Sequence, residues 1–206
     1  MNILILGATG RVGSKIVRYA LQDKHRVTAF VRTPEKIQMS DENLSILQGN
    51  VLEKQDIVRA MQGIDIVISA LNTDGTTTLT DSMPLIIEAM ERQGIQRFIT
   101  IGTAGILQSR TTPDLLRYQS SESKRRSVRA AIEHHKVYDL LKQSNLKWTI
   151  VCPTYLPDGE KKDAYRAESH FLPEGGVEIS VSDTAEFTFS LIKTNDYINT
   201  RVGIAY

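Results

Sequence analysis

Four consecutive apolar residues, Ile3 to Leu6, run without a spacer into Gly7-Ala8-Thr9-Gly10-Arg11-Val12-Gly13, after which Val12, Ile16, Val17, Ala20 and Leu21 recur at helical spacing. An uninterrupted apolar run suits a parallel strand covered on both faces. A strand that enters a helix through one glycine-rich turn must reverse tightly and carry the helix back along its own face, which few folds do. The rest of the chain repeats the alternation. Val27 to Val31, Leu44 to Leu47, Ile64 to Ser69, Phe98 to Ile101 and Trp148 to Cys152 read as strands, with helices between them. The clearest helix carries Met83, Ile86, Ile87 and Met90 on one face, and the longest is expected from about Glu122 to Gln143.

Strands alternating with helices imply right-handed βαβ crossovers. The expected fold class is therefore α/β, a doubly wound parallel sheet of the Rossmann type in three αβα layers. With 206 residues, one domain is expected. The Ser/Thr-rich stretches Thr73 to Thr80 and Ser109 to Ser123 read as loops, and both follow strands. They fall at the carboxyl edge of the sheet, where open α/β folds bind ligands. From Pro153 the chain turns loop-rich, then ends with a helix from about Asp183 to Lys193 and a strand near Val202. Residues 153–206 are all that remains for the acceptor side, so its pocket should be small or shallow.

Charge and cysteine content exclude several function classes. The 25 Lys+Arg nearly cancel the 24 Asp+Glu, which removes the electrostatic term behind most nucleic-acid binding. The run Ile3 to Leu6 is shorter than the about 7–15 residues of a secretory signal core. No apolar stretch approaches the roughly 20 residues needed to span a bilayer. A cytoplasmic protein without nucleic-acid or membrane partners is expected, as a monomer or small homo-oligomer. Cys152 is the single cysteine and has no Cys or His at ligand spacing, so no metal is expected. Adjacent His134 and His135 point about 100° apart on a helix and cannot chelate together. No G-x-S-x-G elbow is present.

The glycine spacing is G-x-x-G-x-x-G. Gly7 permits the tight turn, Gly10 lets backbone approach a pyrophosphate, and Gly13 lets helix and strand pack closely. The first-turn amides and the helix dipole would then face the phosphates. Dinucleotide binding through Gly7, Thr9, Gly10, Arg11, Val12 and Gly13 is the reading; a purely structural turn is the alternative. A triphosphate loop is excluded, because Ser14 stands where that motif requires Lys. About 20 residues past such a loop, NAD-specific folds carry an acid for the ribose 2′-hydroxyl; this chain has Arg32. A guanidinium grips a 2′-phosphate through charge-assisted hydrogen bonds. With Lys36 and Arg11 nearby in sequence, three cations are expected to converge, favouring NADP(H) over NAD(H). The alternative is that Arg32 and Lys36 are solvated surface charges.

The runs ILGATGRVG, FVR, GNVLEKQDI, IDIVISAL, FITIGTAG and LLKQSNLKWTIVCPTYL resemble an atypical short-chain dehydrogenase/reductase, nearest the biliverdin-IXβ reductase/flavin reductase type, with NmrA-like proteins as relatives. The resemblance implies that Asn50 and Val51 lie near the adenine, with Asn50 standing where relatives usually carry Asp. It also implies that Ala70, Leu71 and Asn72 line the ribose and diphosphate, and that Pro153, Thr154 and Tyr155 approach the nicotinamide. Thr103 occupies a position commonly Ser or Thr facing the acceptor. Tyr155 replaces a His of the flavin reductase, and His134 stands where many relatives carry a Lys.

Short-chain dehydrogenases use a Tyr-x-x-x-Lys pair, and Tyr138 and Lys142 have that spacing. The pair sits near the end of its helix, and counting rises along helix and strand puts it more than about 10 Å below the nicotinamide. The expected activity is hydride transfer from NADPH to a planar conjugated acceptor of flavin, quinone or tetrapyrrole type. Thr103 and Tyr155 would orient it, and His134 would hydrogen-bond nearby. A strand-end Thr capping backbone, a loop aromatic packing on the tail and a His within its helix face are the alternatives. A redox-sensing module that binds NADP(H) without turnover is the second hypothesis, and an epimerase-like enzyme a third, disfavoured for want of the dyad. The basic cluster Lys124, Arg125, Arg126 and Arg129 reads as a solvated helix face.

Overall fold

The structure, a computed structural model, describes residues 1–73, 75–123 and 127–206; the run Lys124-Arg125-Arg126 lies outside the described residues. In chain order the elements are β1 (Asn2–Leu6), α1 (Arg11–Gln22), β2 (Arg26–Val31), β3 (Leu44–Gln48), α2 (Lys54–Ala60), β4 (Ile66–Ser69), α3 (Thr78–Gln93), β5 (Arg97–Ile101), α4 (Arg129–Gln143), β6 (Lys147–Pro153), β7 (Arg166–Ser169), α5 (Val181–Ser190) and β8 (Thr200–Ala205). They form an eight-stranded sheet in the order β3-β2-β1-β4-β5-β6-β8-β7. All pairings are parallel except β7 on β8.

The period-2 geometry of a strand divides β1 between two cores. Ile3 and Ile5 pack in one layer with Ile16, Val17 and Ala20 of α1 and Ala185 and Phe189 of α5. Leu4 and Leu6 face the other layer, with Ile57 of α2, Met83, Ile86 and Met90 of α3, and Leu141 of α4. Each of the buried Ile, Val, Leu, Met and Phe side chains among them contributes about 1.5–3 kcal/mol of transfer free energy. The two layers explain why the strand shows no apolar–polar alternation.

Four expectations change. The β2–β3 connection holds no α-helix, only a 3-10 turn at Pro34–Lys36, so Ser45, Ile46 and Gln48 of β3 stay exposed. The helix expected from Glu122 begins at Arg129, because the Glu122 carboxylate instead accepts the Arg110 and Thr111 amides at 2.9 and 3.0 Å. The loop read as reaching Thr80 gives way to α3 at Thr78. Finally, Arg166–Ser169 forms β7 within the region read as loop; its pairing is with β8, more than 30 residues later, and nothing local in its sequence announces a strand.

The tail is held by a buried acid. Ser180 caps α5, accepting the Asp183 amide at 3.0 Å, and its hydroxyl donates to the Asp183 carboxylate at 2.9 Å. The amides of Lys162 and Asp163 and the Tyr206 hydroxyl also donate to that carboxylate. Burial pushes the Asp183 pKa up, but these hydrogen bonds outweigh it and hold the group below the ordinary Asp value. A depressed folded-state pKa means stability fully present above the unfolded value of about 3.9 and lost as pH falls through the folded one. Asp183→Asn should therefore lower unfolding free energy by about 2 kcal/mol at neutral pH. In urea titrations from pH 6 down to about pH 2 it should also lose less stability than the parent. Parallel pH profiles would show that the carboxylate is not the titrating staple.

Candidate functional site

β1 ends at Leu6, and Gly7 turns the chain with φ +76°, the left-handed region that favours glycine. A Cβ on Gly7 would stand 2.5 Å from the Ala70 carbonyl oxygen, and one on Gly13 would stand 2.2 Å from the Gly7 carbonyl oxygen. β1, α1 and the end of β4 therefore approach more closely than side chains permit. Gly10 differs: its backbone (φ −74°, ψ 167°) is open to any residue, and a Cβ there would lie 3.3 Å from its nearest neighbour, the Gly7 carbonyl oxygen. No side chain caps the start of α1, and its first turn carries no acid. Those amides and the positive end of the helix fit a diphosphate.

The turn opens on a cleft of about 250 Å³ lined by Gly7, Thr9, Gly10, Arg32, Asn50, Val51, Ala70, Leu71 and Asn72, together with Phe30, Val31, Gly49, Leu52 and Thr78. It lies at the carboxyl ends of β1 and β4, where the strand order reverses and α/β sheets bind ligands. Val12 and Gly13 are buried behind it, so Val12 can offer a ligand only backbone. The Asn50 side chain accepts the Leu52 amide at 3.1 Å, and the Asn50 amide donates to Asp56 at 2.9 Å. Asn50 thus shapes the turn entering α2.

The three cations do not converge. Arg32 is exposed at the end of β2 and borders both this cleft and an adjoining recess of about 720 Å³. Lys36 lines a separate groove beside Arg18. Arg11 reaches the opposite way, donating to the Leu156 carbonyl at 3.1 Å and pairing with Asp158 at 3.0 Å. The second cation of the recess is Arg59 on α2, which the sequence reading missed. Its guanidinium donates to the Gln48 carbonyl at 2.8 Å and pairs with Asp56 at 2.9 Å. Only its place in the last turn of α2, following a strand that ends beside Arg32, could have signalled it.

Further along the same sheet edge, past β5 and β6, a recess of about 350 Å³ is lined by Thr103, Ala104, Gly105, Arg117, Glu122, Ser123, Thr154, Tyr155, Leu172, Gly176 and Val177. Pro153 closes β6 and is buried. The Thr154 hydroxyl donates to the Val177 carbonyl at 3.2 Å. The Thr103 oxygen accepts the Gly105 amide at 3.4 Å, leaving its own O–H to donate. Tyr155 is 60% exposed, so it is a wall of the recess and contributes little to the core.

His134 lines neither cleft. Burial pushes its pKa down to about 4, against an opposing pull from Glu133, so the imidazole is neutral at pH 7. Tyr138 packs edge-on against Trp148 at 5.8 Å, beneath the Arg201 guanidinium at 4.3 Å and Lys142 at 4.9 Å. Trp148 is five residues before Pro153 on β6, which places the Tyr138–Lys142 pair about 16 Å from the carboxyl edge. Cys152 is fully buried, and burial pushes its thiol up to about 12, which leaves it unreactive.

A glycine-lined turn entering an uncapped helix, at the reversal point of a parallel sheet, defines a dinucleotide-binding Rossmann protein. Residues 7–195 match the NAD(P)H-binding family, and the chain belongs to it. The photosystem II assembly factor Ycf39 of Synechocystis is 31% identical over 48% of this chain and 32% of its own length. Isoeugenol synthase 1 of Clarkia breweri is 32% identical over 64% and 43%. The chain thus spans a third to under half of these curated relatives. Among solved structures, a candidate NADH-flavin reductase from Streptococcus pneumoniae is similar over 100% of this chain and 99% of its own, with a TM-score of 0.80 at 27% identity. The NAD(P)H-binding family and the flavin-reductase-like structure agree with the short-chain dehydrogenase/reductase resemblance. No helix among the described residues is long and apolar enough to cross a membrane.

Proposed function

We propose that the chain is an NADPH-dependent reductase that passes hydride to a planar conjugated acceptor lying in the recess of Thr103 and Tyr155. The observation that carries this reading is the succession of two recesses along one sheet edge: a glycine-built nucleotide cleft bordered by Arg32, then an open recess walled by an exposed tyrosine. When bound, the reduced nicotinamide supplies the hydride. The amides of Arg11, Val12 and Gly13 hold its diphosphate, Arg32 and Arg59 flank the 2′-phosphate, and Pro153 and Thr154 bound the nicotinamide side. The Thr103 hydroxyl orients the carboxamide or the acceptor, and Tyr155 flanks the ring. A low-lying conjugated acceptor takes its proton from water, so no Tyr–Lys dyad is needed; holding the rings in contact is worth up to about 7–11 kcal/mol.

The test is to mix the protein with NADPH and FMN, a naphthoquinone or biliverdin. Acceptor-dependent oxidation of NADPH supports a reductase; tight NADPH binding without any oxidation makes the chain a redox-sensing module. In the same assay Tyr138→Phe should keep turnover within about threefold, whereas loss of a true acid/base group costs about 10²-fold or more.

A further inference from the structure

The acceptor recess contains one cation that no motif announced. Arg117 stands on a 3-10 turn at Arg117–Gln119, in the excursion between β5 and α4. Three hydrogen bonds fix its backbone and neighbours: the Arg117 amide to the Leu107 carbonyl at 2.8 Å, the Ser109 amide to the Leu115 carbonyl at 3.0 Å, and the Leu116 amide to the Gln119 side chain at 3.0 Å. Its side chain is only 21% exposed. One guanidinium nitrogen donates to the Glu122 carboxylate at 3.3 Å. The other oxygen of that carboxylate is already taken by the Arg110 and Thr111 amides. Glu122 is therefore held in place, restrains the guanidinium it pairs with, and lines the same recess as Arg117. A guanidinium has five N–H donors, and Glu122 is the one side-chain acceptor that Arg117 meets among the described residues. Arg117 borders the recess that Thr103, Thr154 and Tyr155 line.

We propose that Arg117 is a catalytic residue whose guanidinium receives the oxygen of a conjugated carbonyl acceptor, quinone-like in class, as that oxygen gains negative charge. The inference rests on the reductase reading and deepens it. When the acceptor carbon receives hydride, a new C–H bond forms with both electrons of the C–H bond broken on the reduced nicotinamide. The acceptor π electrons shift onto its carbonyl oxygen, leaving an enolate or phenolate and the oxidised pyridinium, and a proton from water then neutralises the oxygen. Charge thus appears on an oxygen, where a preorganised, mostly desolvated cation stabilises it more than it stabilises the neutral substrate. That supplies the electrostatic help a dehydrogenase dyad would otherwise give, and it explains why the excursion spends a carboxylate and two backbone amides on holding one arginine.

Two measurements on the full chain test this. In the presence of NADP+, 2,4-dinitrophenolate should bind more than tenfold tighter than its uncharged methyl ether 2,4-dinitroanisole, followed by quenching of Trp148. Arg117→Met should erase that preference while leaving the Kd for NADPH unchanged and the protein folded, and Arg117→Lys should restore part of it. With NADPH and a 1,4-naphthoquinone, Arg117→Met should lower kcat by about 10²-fold, the scale of losing one preorganised donor. Equal binding of phenolate and ether, or a preference that survives Arg117→Met, overturns the assignment. So does quinone turnover that Arg117→Met leaves intact, although the reductase reading then stands. Arg117-dependent phenolate binding with no NADPH oxidation by any acceptor keeps the anion site but overturns its catalytic role together with the reductase reading.

Discussion

Gly10→Asp should raise the NADPH dissociation constant at least about 100-fold, a loss of roughly 2.7 kcal/mol, while the free protein keeps its thermal midpoint within a few degrees. The two halves of that expectation come from different observations. Gly10 has backbone angles any residue can adopt, and a new Cβ meets only the Gly7 carbonyl oxygen, at 3.3 Å, so folding should tolerate it after a shift of a few tenths of an ångström. The cleft it lines is where the diphosphate is proposed to lie. A carboxylate about 4 Å from a phosphate charge costs about 4 kcal/mol at an effective dielectric of 20, more than the change sought. Gly10→Ala, which adds bulk without charge, should weaken binding much less. At Gly13 the same experiment would be uninformative, because a Cβ there strikes backbone at 2.2 Å and would report on helix packing. Fluorescence titration of both Gly10 variants decides the matter; unchanged affinity in Gly10→Asp would remove the phosphate cradle.

The second large effect concerns coenzyme choice. Arg32→Asp should weaken NADPH by about 100-fold and NADH by less than about threefold, since it removes a charge-assisted pair worth about 1.5–3 kcal/mol and sets a like charge against the 2′-phosphate. Arg32 is exposed and borders the recess it shares with Arg59, so part of its pull is screened by solvent, and added salt should narrow the gap between the coenzymes. A matched loss for both coenzymes would show that Arg32 meets a group common to them and that the 2′-phosphate lies elsewhere.

Much of this molecule is visible in one dimension. Strand and helix alternation places the sheet, and the spacing of Gly7, Gly10 and Gly13 marks the nucleotide turn, because both follow from local rules of periodicity and backbone sterics. Of the residues expected at the nucleotide site, Gly7, Thr9, Gly10, Arg32, Asn50, Val51, Ala70, Leu71 and Asn72 line one cleft, while Val12 and Gly13 lie buried behind it. Cation placement was legible only in part. Arg11, in the middle of the glycine motif, is drawn away by Asp158, while Arg59, which belongs to no motif, stands beside Arg32. Likewise the helix forecast from Glu122 ignored a competing use for that carboxylate, which the loop amides claim.

By itself the sequence determined the parallel sheet, its two apolar layers and the site of the tight turn, since each depends on neighbours a few residues apart. Only the tertiary structure decided which charges border the cleft. A charged side chain goes to whatever partner the fold brings within a few ångströms, and Asp158 is 147 residues from Arg11, a distance over which no local pattern carries information. The pairing of β7 with β8 and the restraint of Arg117 by Glu122 are settled in the same way, by contacts that exist only once the chain has folded.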